Sequence, residues 1–238
     1  MSLSEPAGDG SHGPGVGPCL ALDTSTRTSV VAVGDGHPAA VSRRAVQHRH
    51  GSFLLEQVDE VLAAAGLTLA DLTALAVGTG PGSFTGLRVG LATAKTIAYA
   101  RGLRLVGVPS ADALRRGAVG SAGAPHDMAV VLPAGARDHY LVRVGEAPLL
   151  VPPGELAATL AGAPVMAVDL DAGLLGEDAV RFGSAAVDGL AAALLALAAE
   201  RLAAGDTDEP AALVPAYVAL PRGVRRGAEE LGWSPDLR

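Results

Sequence analysis

Two segments of the chain carry residue types that could bind an anion or a metal ion. The first, Asp23-Thr24-Ser25-Thr26, follows a short apolar run. An Asp in such a turn can hold hydrated Mg²⁺ while turn amides and hydroxyls contact phosphates. The same residue types are also ordinary turn formers, whose side chains bond to nearby backbone amides. Residue chemistry alone leaves both interpretations open.

The second segment is the glycine-rich stretch GTGPGSFTG at residues 78–86, which lies between a predicted strand and a predicted helix. A helix that begins here would direct backbone N–H groups towards an anion. The stretch lacks the Gly-Lys-Ser/Thr ending of a P-loop, and its glycines miss the GxGxxG spacing of dinucleotide-binding proteins. Glycines that allow a tight turn and close helix packing are therefore the favoured interpretation.

Other residues that could do chemistry lack the partners that they would need. His48 and His50 have no histidine or carboxylate at the spacing of an HxxxH or HExxH zinc motif, because Leu54 occupies that position. Ser83 is not in the GxSxG sequence of a nucleophile elbow. The single cysteine, Cys19, excludes an internal disulfide and a cysteine-based zinc site. We therefore expect no metal site and no hydrolase triad.

Apolar periodicity predicts the elements that position these segments. Three strands at 19–23, 29–33 and about 39–46 predict an antiparallel meander, followed by a helix over 51–65. A strand at 74–77, a helix over 85–101 and a strand at 103–108 predict a parallel βαβ unit. Beyond residue 118 the pattern predicts strands at 128–132, 139–144 and 165–169, a short helix near 155–161 and a helix over 185–204.

Length and composition bound the organisation of the chain. A chain of 238 residues that is 49% hydrophobic and 18% charged is not disordered, and its net charge of −7 with 3% aromatic residues disfavours a nucleic-acid-binding surface. The longest apolar run, 189–199, is well short of the roughly 20 residues of a membrane-spanning helix. We predict a disordered leader over 1–18, an N-terminal lobe over 19–110, a C-terminal lobe over 111–220 and a tail over 221–238.

Three stretches resemble the TsaB (YeaZ) family. They are LALDTST at 20–26, ALAVGTGPGSFTGLRVGLATAKTIAYARGLRLVGVPS at 74–110 and PAYV at 215–218. The resemblance covers about the first half of the chain, and the second half matches only in length, lobe pattern and tail. It implies an α/β fold of the two-lobed actin-like or ribonuclease H-like kind, in which each lobe is a mixed β-sheet flanked by helices.

The resemblance implies a non-catalytic scaffold or activator subunit. Such a subunit binds TsaD, alongside TsaE, for threonylcarbamoylation of the adenosine next to the tRNA anticodon. The implied protein is cytoplasmic, forms a homodimer when alone, has no membrane segment and reaches tRNA only through the complex. The alternative is an ATP-binding transferase of the actin/hexokinase superfamily. A peptidase would require a metal pair or a nucleophile that this sequence lacks.

Cofactor expectations follow from how the chain departs from its enzymatic relatives. The HxxxH metal pair of TsaD is missing, and Leu132-Pro133-Ala134 stands where many relatives end a strand in Asp-Ala-Arg. We therefore expect no cofactor and no catalytic residue. Residual ATP or magnesium binding, if retained, would use Asp23, Thr24 and Ser25.

The resemblance also suggests that helices 51–65 and 85–101 form the face that binds TsaD or a second copy of the chain. Small residues spaced four apart would let a foreign helix approach closely, beside an apolar stripe on the other helix. The competing interpretation is that both helices pack only on their own sheet. The residues expected at this face are Leu54, Val58, Leu62, Gly86, Gly90 and Ala94.

Overall fold

The structure is a computed structural model that describes residues 16–45 and 53–218 of the chain. The N-terminal half forms a five-stranded sheet with strand order β3-β2-β1-β4-β5. Its elements are β1 (Cys19–Asp23), β2 (Thr28–Gly34), β3 (Pro38–Ala45), α1 (Leu54–Ala64), β4 (Ala74–Gly78), α2 (Phe84–Arg101) and β5 (Arg104–Val108). The first three strands pair antiparallel, and β4 pairs parallel with both β1 and β5. The predicted meander and βαβ unit are confirmed.

A second, four-stranded sheet has strand order β8-β7-β6-β9. Its elements and helices are α3 (Ser110–Ala122), β6 (Ala129–Ala134), β7 (Asp138–Val142), β8 (Leu149–Val151), a 3-10 turn (Pro153–Glu155), α4 (Leu156–Leu160), β9 (Val165–Ala167), α5 (Ala172–Leu175) and α6 (Glu177–Ala203). β6 is antiparallel to β7 and parallel to β9. Two separate mixed sheets flanked by helices confirm the predicted α/β fold class.

Alternation of side chains along the strands divides the core into layers. In β1, Leu20 and Leu22 belong to the core under α1 and α2, whereas Ala21 belongs to the core that contains α3 and α6. In β6, Val130 contributes to that same central core, and Val131 packs with α4 on the far side. The layers therefore run α1 and α2, first sheet, α3 and α6, second sheet, α4.

The main corrections to the sequence prediction concern α3, β8 and α6. The sequence pattern predicts no helix between the strands at 103–108 and 128–132, but the structure places α3 there, ended by Gly123 in the left-handed conformation. The Pro-rich stretch after residue 148 contains the short strand β8. Helix α6 begins at Glu177, ahead of the predicted 185, because Gly183 lets the helix lie directly against the backbone oxygen of Ala167. Each of these elements depends on a tertiary contact that periodicity does not reveal.

Helix α6 is the core helix of the fold. Among the described residues it is the one helix long and apolar enough to cross a membrane by length and composition. Leu190, Leu194 and Ala198 are fully buried in the central layer, where α6 contacts α3 and both sheets. Its apolar composition is therefore explained by burial between the sheets.

Both ends of the described chain contact the first sheet. The amide of Thr73 donates to Pro18 O at 2.9 Å and its hydroxyl to Val16 O at 3.0 Å, so residues 16–18 of the predicted leader lie beside the start of β4. Residues 208–217, which the sequence prediction assigns to the second lobe, return to β5. The predicted leader residues 1–15, the tail 221–238, His48 and His50 lie outside the described residues.

The crossing of α3 and α6 generates a stability prediction. A Cβ at Gly117 would lie 2.7 Å from Ala186 O, whereas a Cβ at Gly120 of the same helix would meet no atom within 4 Å. We expect Gly117→Ala to lower the free energy of unfolding by about 1–3 kcal/mol through overpacking. The matched Gly120→Ala should raise it by up to about 1 kcal/mol, because alanine is the better helix former. Equal effects of the two changes in urea unfolding would contradict the close crossing.

Candidate functional site

The turn after β1 is a closed hydrogen-bond network centred on Asp23. Its Oδ1 accepts bonds from the amide and hydroxyl of Ser25 at 2.7 and 2.6 Å. Its Oδ2 accepts a bond from the Ser110 hydroxyl at 2.6 Å, and Ser110 Oγ in turn accepts from the Gly80 amide at 3.0 Å. Asp23 therefore ties the end of β1 to the start of α3 and to the glycine-rich loop.

The glycine-rich loop and the first turns of α2 lie directly on this turn. The amide of Ser83 donates to Ser25 O at 2.7 Å, and the Thr24 hydroxyl donates to Gly86 O at 2.7 Å. A Cβ on any of four glycines spaced four residues apart would overlap an atom of Asp23, Thr24 or Ser25; these glycines are Gly78, Gly82, Gly86 and Gly90. The glycines are thus required by close backbone packing within the chain, as the favoured sequence interpretation holds.

The three residues predicted to contact a nucleotide are enclosed by this packing. Asp23 has no exposed surface, and Thr24 and Ser25 are buried as well. Burial raises the pKa of Asp23, although the hydrogen bonds from Ser110 and Ser25 act in the opposite direction. The arrangement is typical of a structural hydrogen-bond network, since each side chain is already bonded within the protein and none faces an open site.

The six residues predicted at a partner face are all buried within the chain. Leu54, Val58 and Leu62 form the inner side of α1, in the same core as Leu91 and Ala94 of α2. Gly86 and Gly90 face the turn after β1. The structure uses these six residues for packing within their own lobe, so their predicted assignment to a partner face is corrected.

Sequence reasoning missed the residues that these two helices expose. On the outer side of α1, Leu55 is 56% exposed, and Phe53 just before the helix is exposed too. On α2, Tyr99 is 87% exposed. The sequence does contain a signal for this exposure. Leu55 follows directly after Leu54, which belongs to the buried apolar stripe of the helix, so Leu55 is an apolar residue outside that stripe. Helices α1 and α2 cover the same side of the sheet, so this outer side is one candidate docking surface.

Charges on the two helices are opposite in sign. Helix α1 contains Glu56, Asp59 and Glu60 and no basic residue, whereas α2 contains three basic residues and no acidic one. The basic residues are Arg88, Lys95 and Arg101. Arg44 of β3 pairs with Glu56 and Glu60, which leaves Asp59 as the acidic residue of α1 outside that ion-pair group.

A cavity between the two sheets lies next to the turn after β1. It measures about 270 Å³ and is lined by Thr28, Ser184, Asp169, Asp188 and apolar residues, without an Arg or Lys. The Arg27 amide donates to Asp169 Oδ2 at 2.6 Å, and burial raises the pKa of Asp169. The two carboxylates of this lining disfavour a phosphate, although Arg27 interacts electrostatically with Asp169 and the Arg43 guanidinium donates to Asp188 O at 2.6 Å beside it. In residues 16–45 and 53–218, no group of three or more His, Cys, Asp or Glu side chains could hold a metal ion.

Comparison with known proteins shows which family the chain resembles in sequence and in fold. A profile of TsaD, tRNA N6-adenosine threonylcarbamoyltransferase, matches residues 40–151. An uncharacterized protein of Mycobacterium tuberculosis is 36% identical over 206 residues, which cover 85% of this chain and 92% of that protein. The tRNA threonylcarbamoyladenosine biosynthesis protein TsaB of Escherichia coli is 33% identical over 112 residues, which cover 47% of this chain and 48% of TsaB.

The solved structure of YeaZ from Pseudomonas aeruginosa matches with a TM-score of 0.64 at 25% identity, over 84% of this chain and 99% of that chain. The two mixed sheets and this match define a two-lobed α/β protein of the actin-like fold. The chain belongs to the TsaB (YeaZ) family, as its motifs predict.

The buried carboxyl of Asp23 generates a pH prediction. Its pKa is raised in the folded state, so its contribution to stability is fully present below the unfolded value near 4 and is lost as pH rises through the folded value. Asp23→Asn removes this titration. We expect the difference in Tm between the wild type and Asp23→Asn to shift in favour of the wild type as pH falls from 7 to 4. A difference that stays constant with pH would contradict the raised pKa.

The packing of Gly90 against Thr24 generates a second prediction. A Cβ at Gly90 would overlap Thr24 Oγ1. We expect Gly90→Ala to lower the free energy of unfolding by about 1–3 kcal/mol. In a Thr24→Ala background the same change should cost less, with a coupling of about 1 kcal/mol in a double-mutant cycle. Additive effects in denaturant unfolding would show that Gly90 does not contact Thr24.

Proposed function

We propose that this chain is a non-catalytic scaffold subunit that binds TsaD for threonylcarbamoylation of the adenosine next to the tRNA anticodon. Homology to TsaB supports involvement in tRNA threonylcarbamoyladenosine biosynthesis. The observation that carries the scaffold role is the enclosure of Asp23, Thr24 and Ser25. In a working nucleotide site these side chains would face a ligand, and here they are bonded to the loop and helix that cover them.

The outer side of α1 and α2 is the proposed TsaD-binding surface. It combines exposed apolar side chains, Leu55 and Tyr99, with charges of opposite sign on the two helices. A partner that presents a similar helix pair could place its basic helix across the acidic α1 and its acidic helix across the basic α2. The TsaD profile matches residues 40–151, which include both helices, so we infer that TsaD contains a related helix pair that could pack against this one.

The same surface accounts for the proposed behaviour of the chain without TsaD. A surface with one acidic and one basic helix is self-complementary across a two-fold axis, so a second copy can occupy it. TsaE would join only the assembled complex, and tRNA would be contacted only through that complex. We propose that the subunit works in the cytoplasm and without a cofactor of its own.

Substitutions on the outer side of the helices test this proposal. Leu55→Glu and Tyr99→Glu place a charge on exposed positions, so each should change stability by no more than about 0.5 kcal/mol. We expect each to weaken TsaD binding at least tenfold in calorimetry. Each should also lower tRNA modification in a reaction reconstituted with TsaD, TsaE and the synthase TsaC, which the family resemblance implies as a further component.

Val144→Glu is the matched control, because Val144 is a comparably exposed apolar residue in the second half of the chain. It should bind TsaD as the wild type does. Wild-type affinity in both helix variants would remove this surface from the interface, and a wild-type chain that neither binds TsaD nor supports modification would reject the scaffold role.

A further inference from the structure

The chain after α6 crosses the open edge of the first sheet. Residues 206–217, here called the C-terminal strap, begin beside the edge strand β5. The amide of Asp208 donates to Leu105 O at 2.8 Å, and the amide of Gly107 donates to Asp208 Oδ2 at 2.7 Å. Arg201 of α6 donates to Gly107 O at 2.7 Å and to Asp208 Oδ2 at 3.0 Å. One end of the strap is thus fixed to both β5 and α6.

The strap then follows the sheet to the glycine-rich loop. The Leu213 side chain occupies the space that a Cβ on Gly107 would require, with its Cδ1 2.6 Å from that position. Further along, the amide of Ala216 donates to Thr79 O at 2.8 Å. Backbone hydrogen bonds therefore hold the strap to β5 at one end and to the glycine-rich loop before α2 at the other.

At its end the strap contacts the first two turns of α2 through Tyr217. The guanidinium of Arg88 lies 3.8 Å from the ring centre of Phe84 and 5.7 Å from that of Tyr217. Arg88 Nε also donates to the Tyr217 hydroxyl at 3.2 Å, and the two rings are 5.7 Å apart. Two aromatic rings and a cation thus join the strap to α2.

Apart from its N-cap Ser83, whose hydroxyl accepts from the Gly86 amide at 3.1 Å, the start of α2 has few helix-stabilising features. It follows a glycine-rich loop and contains Gly86 and Gly90 in its first two turns, and glycine is a poor helix former. Its first turn has no acidic residue to interact with the helix dipole. The inner side of this region is fastened by Thr24 and Ser25, but neither of them contacts the side that carries Arg88.

We propose that the C-terminal strap, through Tyr217, is a positioning element that holds the first two turns of α2 in the conformation that the partner recognises. The recognition part of this inference rests on the proposed function. The inference gives a physical role to the PAYV motif: Pro215 and Ala216 bring the strap to Thr79, and Tyr217 covers Arg88. Tyr217 acts through α2 and is not itself required to contact the partner.

Amide hydrogen exchange of the full free chain tests the positioning step without any partner. In Tyr217→Ala, the amides of residues 87–91 should exchange at least tenfold faster than in the wild type, because local opening of α2 becomes easier. Tyr217→Phe keeps the ring and should stay within about threefold of the wild type. Val214→Ala is the control within the strap, since Val214 is 63% exposed, and it should leave this exchange unchanged. Arg88→Ala removes the cation from the other side of the contact and should reproduce the effect of Tyr217→Ala.

TsaD affinity, measured on the same variants, completes the test. We expect it to fall at least tenfold in Tyr217→Ala and Arg88→Ala and to remain near the wild-type value in Tyr217→Phe and Val214→Ala. Unchanged exchange in folded Tyr217→Ala and Arg88→Ala would overturn the inference, whether or not affinity falls, because a loss of affinity alone would mean direct contact with the partner. If the wild type does not bind TsaD, the scaffold proposal fails, while hydrogen exchange still decides whether the strap holds α2.

Discussion

The contact between the turn after β1 and the backbone of the glycine-rich loop is the constraint on which the first lobe depends. Four glycines at intervals of four residues let Asp23, Thr24 and Ser25 lie very close to the main chain. A Cβ on any of these glycines would overlap an atom of the turn. The buried carboxylate then bonds to hydroxyls and an amide from its own turn and from α3. Because an unpaired buried carboxylate is costly, these partners must assemble together, and they set the position where α2 begins.

A second constraint joins the two halves of the molecule. Helices α3 and α6 lie between the sheets and pack closely at Gly117 and Gly189. One core thus receives side chains from both sheets, from β1 as well as from β6. The relative placement of the halves is therefore determined by helix packing in addition to the bond between Arg27 and Asp169 at the cavity. Interiors packed in this way resist small displacements, which suits a subunit whose proposed role is to present a fixed surface.

These constraints support the proposed role of this actin-like fold in binding without chemistry. The turn that would contact a phosphate in a nucleotide-binding relative is occupied by internal hydrogen bonds, and the nearby cavity is lined by carboxylates without a basic side chain. Meanwhile the outer sides of α1 and α2 retain exposed apolar residues and opposite charges. The position of α2 connects the two features, since the enclosed turn holds its inner side and the C-terminal strap holds its outer side.

The sequence by itself determined the first sheet, the βαβ unit, the α/β class and the family, because strand alternation, helix periodicity and the block at 74–110 are local patterns. It also favoured tight packing for the glycines of 78–86. It did not determine α3, the true start of α6 or the path of residues 208–217, because small residues such as Gly117 and Gly183 give a weak periodic signal and are placed by contacts distant in sequence.

The predicted partner residues were misassigned for a related reason. An apolar or small residue on a helix gives the same sequence pattern whether it packs on the protein's own sheet or on a foreign helix. Only the tertiary structure shows which side chains face inward and which face outward: Leu54 and Gly90 are buried, whereas Leu55 and Tyr99 are exposed.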